Sequence, residues 1–487
     1  MFYKEHILFL DVLDEGIFSM LFSSYKFLFL FLPAAVSLFY LIKKIAGERI
    51  SLIFLILVSL FFYGVYYPGF LLILIASISF NVIIAALIEK TVTLSRFLLI
   101  TGVICNLSGL IFLKLSDFLT KGLGDYFPEN IVALEFLFPL GIGFLTFNQI
   151  SYLIAVYKNE SGAEFNLDYC LRCTFFPSLV MGPVYHYKNK LFITGNNETT
   201  TAFDSVAYGI YILMIGLFKM VVLADSLYIY VFNGMNINDP GFFTAWITVL
   251  SFTLQIYFYF SGYCDMAVGI GKMFGVHLPH NFLSPYKAVS LSEFSKRWHT
   301  SLIEIIKEVV YIPITSRYSG KFYEFAAIII ASVIGSLWYG ASFRVLIFGL
   351  TFGILLFAES FLKRIITSLP KLLRGGITFL IINLLFVLLG TDSNAQAVTI
   401  YKSLLNFSNF GFQQISEVAT EGSLYFPDFV NVGYFLVTII LSVVICFFGK
   451  NTKDIMKGAS LTTISAIGLG LLFLIIVIHF TRLEFLF

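Results

Sequence analysis

The side chains of this chain that could do chemistry gather in two neighbouring stretches. The first runs from Gln255 through Tyr257, Tyr259, Ser261, Gly262 and Tyr263 to Asp265, inside an otherwise apolar segment. Polar groups in such a setting are costly, so each is a candidate for function. For Asp265 the preferred reading is structural: a carboxylate that takes hydrogen bonds from nearby hydroxyls or backbone, as polar glue between helices. The second stretch reads Leu278-Pro279-His280-Asn281-Phe282-Leu283-Ser284-Pro285-Tyr286, then Ser292-Glu293-Phe294-Ser295-Lys296-Arg297-Trp298-His299-Thr300-Ser301. An imidazole with an ordinary pKa near 6.5 can take a proton from a hydroxyl at neutral pH, which makes His299 a candidate general base. A packed structural histidine is the competing reading, and the residues alone weigh the two about equally. Lys296 and Arg297 suit either an anionic partner or ordinary positive charge at a membrane surface.

The elements that must position these groups are hydrophobic helices. Crossing the hydrocarbon core takes about 20 apolar residues. Stretches of that kind lie near 24–42, 51–66, 70–88, 97–115, 133–156, 205–232, 243–273, 323–342, 344–362, 373–390, 431–449 and 461–481. That is roughly a dozen spans in an all-α polytopic membrane protein. Pieces around 170–186 and 300–314, interrupted by polar residues and prolines, are expected to enter the bilayer without crossing it. Two prolines break the chain at 278–286, and irregular backbone at membrane depth is tolerated only inside protein or beside a water-filled cavity. His299 is therefore expected to face a cavity. Gly271 and Gly275, four residues apart, read as a close helix contact, and 395–405 reads as an interfacial helix. Gly269-Ile-Gly271 has no preceding strand and does not make a nucleotide loop.

Composition agrees. Of 487 residues 59% are hydrophobic and 12% charged, with a mean hydropathy of +0.90; soluble domains carry about twice that share of charge. The net charge of +2 argues against a nucleic-acid partner. The loops holding Lys43, Lys44 and Arg49, and Lys90 and Arg96, are basic, whereas 116–131 carries Asp117, Asp125 and Glu129 against Lys121. The first two are expected in the cytoplasm, 116–131 outside, and the region from Lys158 to Lys190 back in the cytoplasm. Cys170-Leu-Arg-Cys173 lacks a second pair or a histidine cluster, so no metal is expected. Residues 1–19, with Asp11, Asp14 and Glu15, read as an interfacial helix or as an extension ahead of a start at Met20; 20–487 reads as a single transmembrane domain.

The run Glu293-Phe294-Ser295-Lys296-Arg297-Trp298-His299-Thr300-Ser301-Leu302 resembles the F-W-R-R-W-H-I-S-L type signature of the membrane-bound O-acyltransferase (MBOAT) family. The similar branch is that of alginate O-acetyltransferases and the teichoic-acid D-alanylation membrane protein. Four more segments fit in order and spacing: Met20-Leu21-Phe22-Ser23-Ser24-Tyr25-Lys26-Phe27; Phe138-Pro139-Leu140-Gly141-Ile142-Gly143-Phe144 with Ser151-Tyr152-Leu153; Phe175-Phe176-Pro177 with Gly182-Pro183; and Phe260-Ser261-Gly262-Tyr263-Cys264-Asp265-Met266-Ala267. The resemblance implies a ring of helices around a thinned centre, crossed by a tunnel that meets an acyl donor inside and an acceptor outside. It implies transfer of an acetyl or other short acyl group from acetyl-CoA or an acyl-carrier thioester toward hydroxyls of an exported polysaccharide, at a bacterial cytoplasmic membrane. No bound cofactor is expected, and a separate extracytoplasmic acyltransferase is an expected partner. Lys296, Arg297, Trp298, Ser261, Tyr263, Asp265 and Trp338 are then the candidate tunnel and substrate residues.

One position departs from the resemblance. The family's L-W-H-G type run carries a catalytic histidine, and here it reads Gly335-Ser336-Leu337-Trp338-Tyr339-Gly340-Ala341-Ser342. Tyr339 stands in the histidine's place. With a pKa near 10, about one phenol in a thousand is ionised at neutral pH, so Tyr339 can donate to an oxyanion but is a poor base. Three readings are open. In the preferred one, His299 is the base and Tyr339 is an oxyanion donor or an acyl-carrying nucleophile. In the second, the fold persists as a non-catalytic scaffold that recruits another acyltransferase. In the third, Tyr339 is a packed aromatic.

Overall fold

The computed structural model describes residues 22–66, 68–122, 141–160, 162, 167–183, 201–340, 342–411, 414–415, 417–418, 428–458 and 470. Among them the regular structure is helical, without strands. The proposed start at Met20, the segment 1–19, the span 461–481 apart from residue 470, and most of the loop 116–131 lie outside the described residues.

Seven described helices are long and apolar enough to cross a membrane: Phe27–Ala46, Glu48–Val65, Leu71–Lys90, Ala202–Asn236, Phe242–Met273, Phe343–Ser368 and Lys371–Gly390. Ser95–Gly109 and Val432–Phe447 are shorter apolar helices. The expected span at 133–156 is represented by a helix over Ile142–Tyr157. That at 323–342 is shorter than expected: the helix is Lys321–Leu337. Leu337 is followed by a turn in which Tyr339 N–H donates to Ser336 O at 2.9 Å and Gly340 takes φ +153°. Apolar side chains continue through the turn, so hydropathy does not mark it.

The chain forms two compact units. One comprises Phe2–Leu213 and Met266–Pro279. Its core packs Tyr63, Leu74, Ile84, Tyr152, Leu153 and Tyr169, and Leu57, Leu72 and Ile83 stay exposed, as lipid-facing side chains do. The expected dip around 170–186 appears as two short helices, Leu167–Thr174 and Phe176–Met181. Cys173 is buried there, beside Tyr169. The close helix contact expected at Gly271 and Gly275 is not found. Gly275, at φ +73°, ends the helix, and Val276 N–H reaches back to Gly271 O at 2.8 Å, the left-handed C-terminal cap that glycine permits. The close approach is made by Gly209, where a Cβ would lie 2.7 Å from Gly269 O.

The other unit comprises Met214–Asp265 and His280–Phe487. Here Gly262 meets Gly216 in the same way, at 2.8 Å for an added Cβ. Ala245, Val249, Val387, Ile400 and Leu404 form a core under the helix Asn394–Ser403, which matches the expected element at 395–405. The sequence Thr300–Arg317 is helical throughout, with a π-helical stretch at Lys307–Tyr311. A second π-helical stretch, Phe218–Ala224, interrupts the span Ala202–Asn236.

Candidate active site

The irregular segment 280–300 is held by bonds that its own sequence supplies. Ser290 begins the short helix Leu291–Ser295: its hydroxyl accepts from Glu293 N–H, and the Glu293 carboxylate accepts from Val289 N–H at 2.9 Å. This reciprocal cap follows from a serine three residues before a glutamate. Glu359 takes the next two amides, Leu291 N–H at 2.6 Å and Ser292 N–H at 3.3 Å. Arg297 donates to Glu293 at 2.7 and 3.0 Å and to Leu283 O at 2.9 Å. Its guanidinium is spent on the framework of the segment, while Lys296 beside it is exposed.

These bonds deliver Trp298 and His299 into a buried aromatic nest. Trp298 packs on Phe282, Phe294 and Phe386, at centroid distances of 5.1, 5.4 and 5.4 Å. Its indole N–H donates to the Tyr339 hydroxyl at 2.6 Å, joining the irregular segment to the turn after Leu337. The His299 ring lies 6.0 Å from Trp338 and 5.9 Å from Phe282. Four candidates, Trp298, His299, Trp338 and Tyr339, are thus brought together. His299 is 2% exposed, and burial pushes its imidazole down to about 4, so it is neutral at pH 7 and able to accept a proton. Its backbone is left-handed, φ +45° and ψ +53°, where a non-glycine residue pays about 1–2 kcal/mol.

The comparisons with known proteins fit this arrangement. The model of the membrane-bound O-acyltransferase family matches residues 165–391, which contain all of it. The peptidoglycan O-acetyltransferase of Helicobacter pylori is 32% identical over 91% of this chain and 91% of its own length. The chain belongs to the membrane-bound O-acyltransferase family. It is also 32% identical to the probable alginate O-acetylase of Pseudomonas aeruginosa, across 88% of this chain and 81% of that one. The teichoic acid D-alanyltransferase of Bacillus subtilis is more distant, at 22% over 55% of this chain and 70% of its own. This MBOAT protein is an O-acyltransferase of the membrane, and its family resemblance rests on far more than the histidine run.

Asp265 takes part in a buried network of the MBOAT chain. Lys219 Nζ donates to Asp265 Oδ2 at 2.6 Å and to the Thr452 hydroxyl at 3.0 Å, and Thr452 donates to Asp265 Oδ2 at 2.5 Å. His280 Nδ1 stands 4.0 Å from Asp265 Oδ1. The hydroxyl partner was the kind of bond expected for Asp265; the lysine was not anticipated. Lys219 is one of two Lys, Arg, Asp or Glu residues inside the span 205–232, with Asp225, and that was the signal that would have found it. The π-helical stretch that contains it has no comparable sequence signature. Ser261 and Tyr263 are buried on the same helix as Asp265. Among the described residues no group of three or more metal-ligating side chains comes together.

Proposed function

We propose that this MBOAT enzyme transfers an acetyl or other short acyl group from a cytoplasmic thioester, acetyl-CoA or an acyl carrier, toward hydroxyls of an exported cell-envelope polysaccharide. The observations that support the chemistry are a buried His299 packed beside Trp338 and, on the next residue, a Tyr339 hydroxyl hydrogen-bonded to Trp298. The names of its relatives, which act on peptidoglycan and alginate, support an envelope acceptor. A tunnel through the family's ring of helices, lined in part by Trp338, would bring donor and acceptor to this pair. An extracytoplasmic acyltransferase is the partner that would take the group onward, and the bacterial cytoplasmic membrane is the location.

The steps balance on these two groups. His299 takes the proton of the acceptor hydroxyl as its oxygen attacks the thioester carbonyl carbon. The phenol donates to the oxyanion of the tetrahedral intermediate. The Tyr339 oxygen accepts from the indole N–H, and its own O–H can act as a donor. The C–S bond then breaks, and the imidazolium returns its proton to the departing thiolate. Ester and free thiol are the products. Burial limits the competing hydrolysis.

A second reading, a scaffold that recruits another acyltransferase, is favoured by Tyr339 itself, since a phenol cannot replace the family histidine as a base. Both are tested in a deletion strain complemented with wild type, His299→Ala, Tyr339→Phe or Tyr339→His, with base-labile acyl groups on the envelope polysaccharide as the readout. Loss of acylation in His299→Ala at normal protein levels supports the enzyme. Wild-type acylation in His299→Ala and Tyr339→Phe, with none in the deletion, supports the scaffold.

A further inference from the structure

His299 occupies a backbone conformation that is uncommon for a non-glycine residue. It sits at the N-cap of the helix Thr300–Ile306 without a side-chain capping bond, in the left-handed region. The first amides of that helix need acceptors from elsewhere, and Asn281 supplies two of them. Thr300 N–H donates to Asn281 O at 2.9 Å, and Ser301 N–H donates to Asn281 Oδ1 at 3.2 Å. The other end of the Asn281 amide donates to Cys264 Sγ at 3.4 Å. Asn281 is 1% exposed, so its amide has no water to fall back on. The neighbouring contacts run the same way: Thr300 Oγ1 donates to His280 O, and Leu283 N–H to Arg297 O, each at 2.9 Å.

We infer that Asn281 is a positioning residue for the reaction: it caps the helix after His299 from a distance and so fixes the backbone that aims the imidazole. The inference rests on the reading that His299 is the base. Backbone conformations of this kind persist only where surrounding bonds over-determine them. Without the Asn281 acceptor, the Ser301 amide loses this bond in a buried site and the strain at His299 loses a counterweight. The chain between Trp298 and Ser301 then relaxes, and the imidazole leaves the place from which it reaches a hydroxyl. A displacement of about 1 Å is enough to cost about two orders of magnitude in rate.

The two bonds of the side chain can be separated. Asn281→Leu removes both. Asn281→Asp keeps an oxygen for Ser301 N–H, and as a carboxylate it has no donor for the sulfur. Cys264→Ala removes that sulfur and leaves the cap. The full-length protein is induced in a deletion strain, and the rate at which base-labile acyl groups return to the envelope is measured, together with the amount of protein in the membrane. Asn281→Leu is expected to be at least tenfold slower at equal abundance, with Asn281→Asp and Cys264→Ala within about twofold of wild type, since one acceptor carries the effect. Wild-type rates in Asn281→Leu while His299→Ala is inactive would overturn the positioning role and leave the base in place. Loss in Asn281→Asp and Cys264→Ala alike would overturn it too, by assigning the effect to the thiol contact. Should Asn281→Leu not accumulate, a slow Asn281→Asp at normal abundance still refutes the cap. Full activity in His299→Ala would instead remove the reading on which the inference rests.

Discussion

Removing one oxygen atom from Tyr339 should separate the two parts that this hydroxyl plays. In the resting protein it accepts from Trp298 Nε1 at 2.6 Å, and Trp298 is 6% exposed. Tyr339→Phe leaves that indole N–H buried without its partner, which costs about 1–3 kcal/mol of stability. In the transition state the same hydroxyl is the proposed oxyanion donor. Loss of one such donor lowers the rate by about 10²–10³, or about 2.7–4 kcal/mol. The two effects have different readouts. Thermal unfolding of the purified protein in detergent reads the first. The rate of envelope acylation per unit of membrane protein reads the second. Tyr339→His gives the indole a ring nitrogen as acceptor and restores the side chain that the family resemblance expects, so it should recover stability and at least part of the rate. If Tyr339→Phe is destabilised yet acylates at the wild-type rate per molecule, the phenol is a structural acceptor only. If it is neither destabilised nor slowed, the bond to Trp298 carries no weight and the account of the site fails.

His299 gives a prediction in pH. With its imidazole lowered to about 4 by burial, the rate of purified enzyme should stay level from neutral pH down past 6 and fall only toward 4; an acid limb near 6.5 would contradict the burial. The same shift makes neutral His299 stabilising above its unfolded value near 6.5, by about 3 kcal/mol, a contribution lost as pH falls through 6.5 toward 4. The Lys219–Asp265 pair should show the asymmetry of buried ions: Lys219→Met or Asp265→Leu alone should cost about 3–5 kcal/mol in thermal unfolding, and the double variant much less than their sum. Additive losses would show that the pair is not coupled. At the glycine contact, Gly262→Ala places a Cβ 2.8 Å from Gly216 O and should cost about 1–3 kcal/mol, whereas an unchanged melting temperature would mean that the helices separate freely there.

Much of the fold was legible because lipid imposes a length on apolar runs. The expected spans 70–88, 243–273 and 373–390 meet helices over Leu71–Lys90, Phe242–Met273 and Lys371–Gly390. Charges, Pro or Gly punctuate those ends, and hydropathy falls where the helix does. At 323–342 no charge or proline marks the stop, because uncharged aromatic residues, Trp338 and Tyr339, follow the helix directly. The stop is a backbone event, Gly340 in a conformation closed to other residues, and it lifts Tyr339 out of the helix into the turn beside Trp298. Gly271 and Gly275 misled for a related reason. A four-residue glycine spacing serves helix contact and helix termination alike, and only the sign of φ distinguishes them. For the site, residue types pointed to His299 and Tyr339 but not to Asn281 or Lys219. The roles of those two depend on pairings across 20 and 46 positions of sequence, which no local pattern encodes.

The framework around His299 also bears on why a tyrosine can stand where the family has a histidine. A break in a helix inside a bilayer leaves backbone groups that lipid cannot satisfy. Here Glu359, Glu293, Arg297 and Asn281 satisfy them from within the same unit. None of those bonds passes through Tyr339. The turn at Trp338–Gly340 is likewise closed by its own backbone, through Ser336 O and Leu337 O. Tyr339 therefore joins two supports that are each complete without it, and Trp298 Nε1–H asks of position 339 only an acceptor. A phenol and an imidazole both meet that demand. What differs is what each group can offer a substrate: the imidazole a base, the phenol a proton donor. On this argument the exchange leaves the architecture untouched, and in the proposed mechanism it places proton removal on His299, whose own backbone is held in the left-handed region.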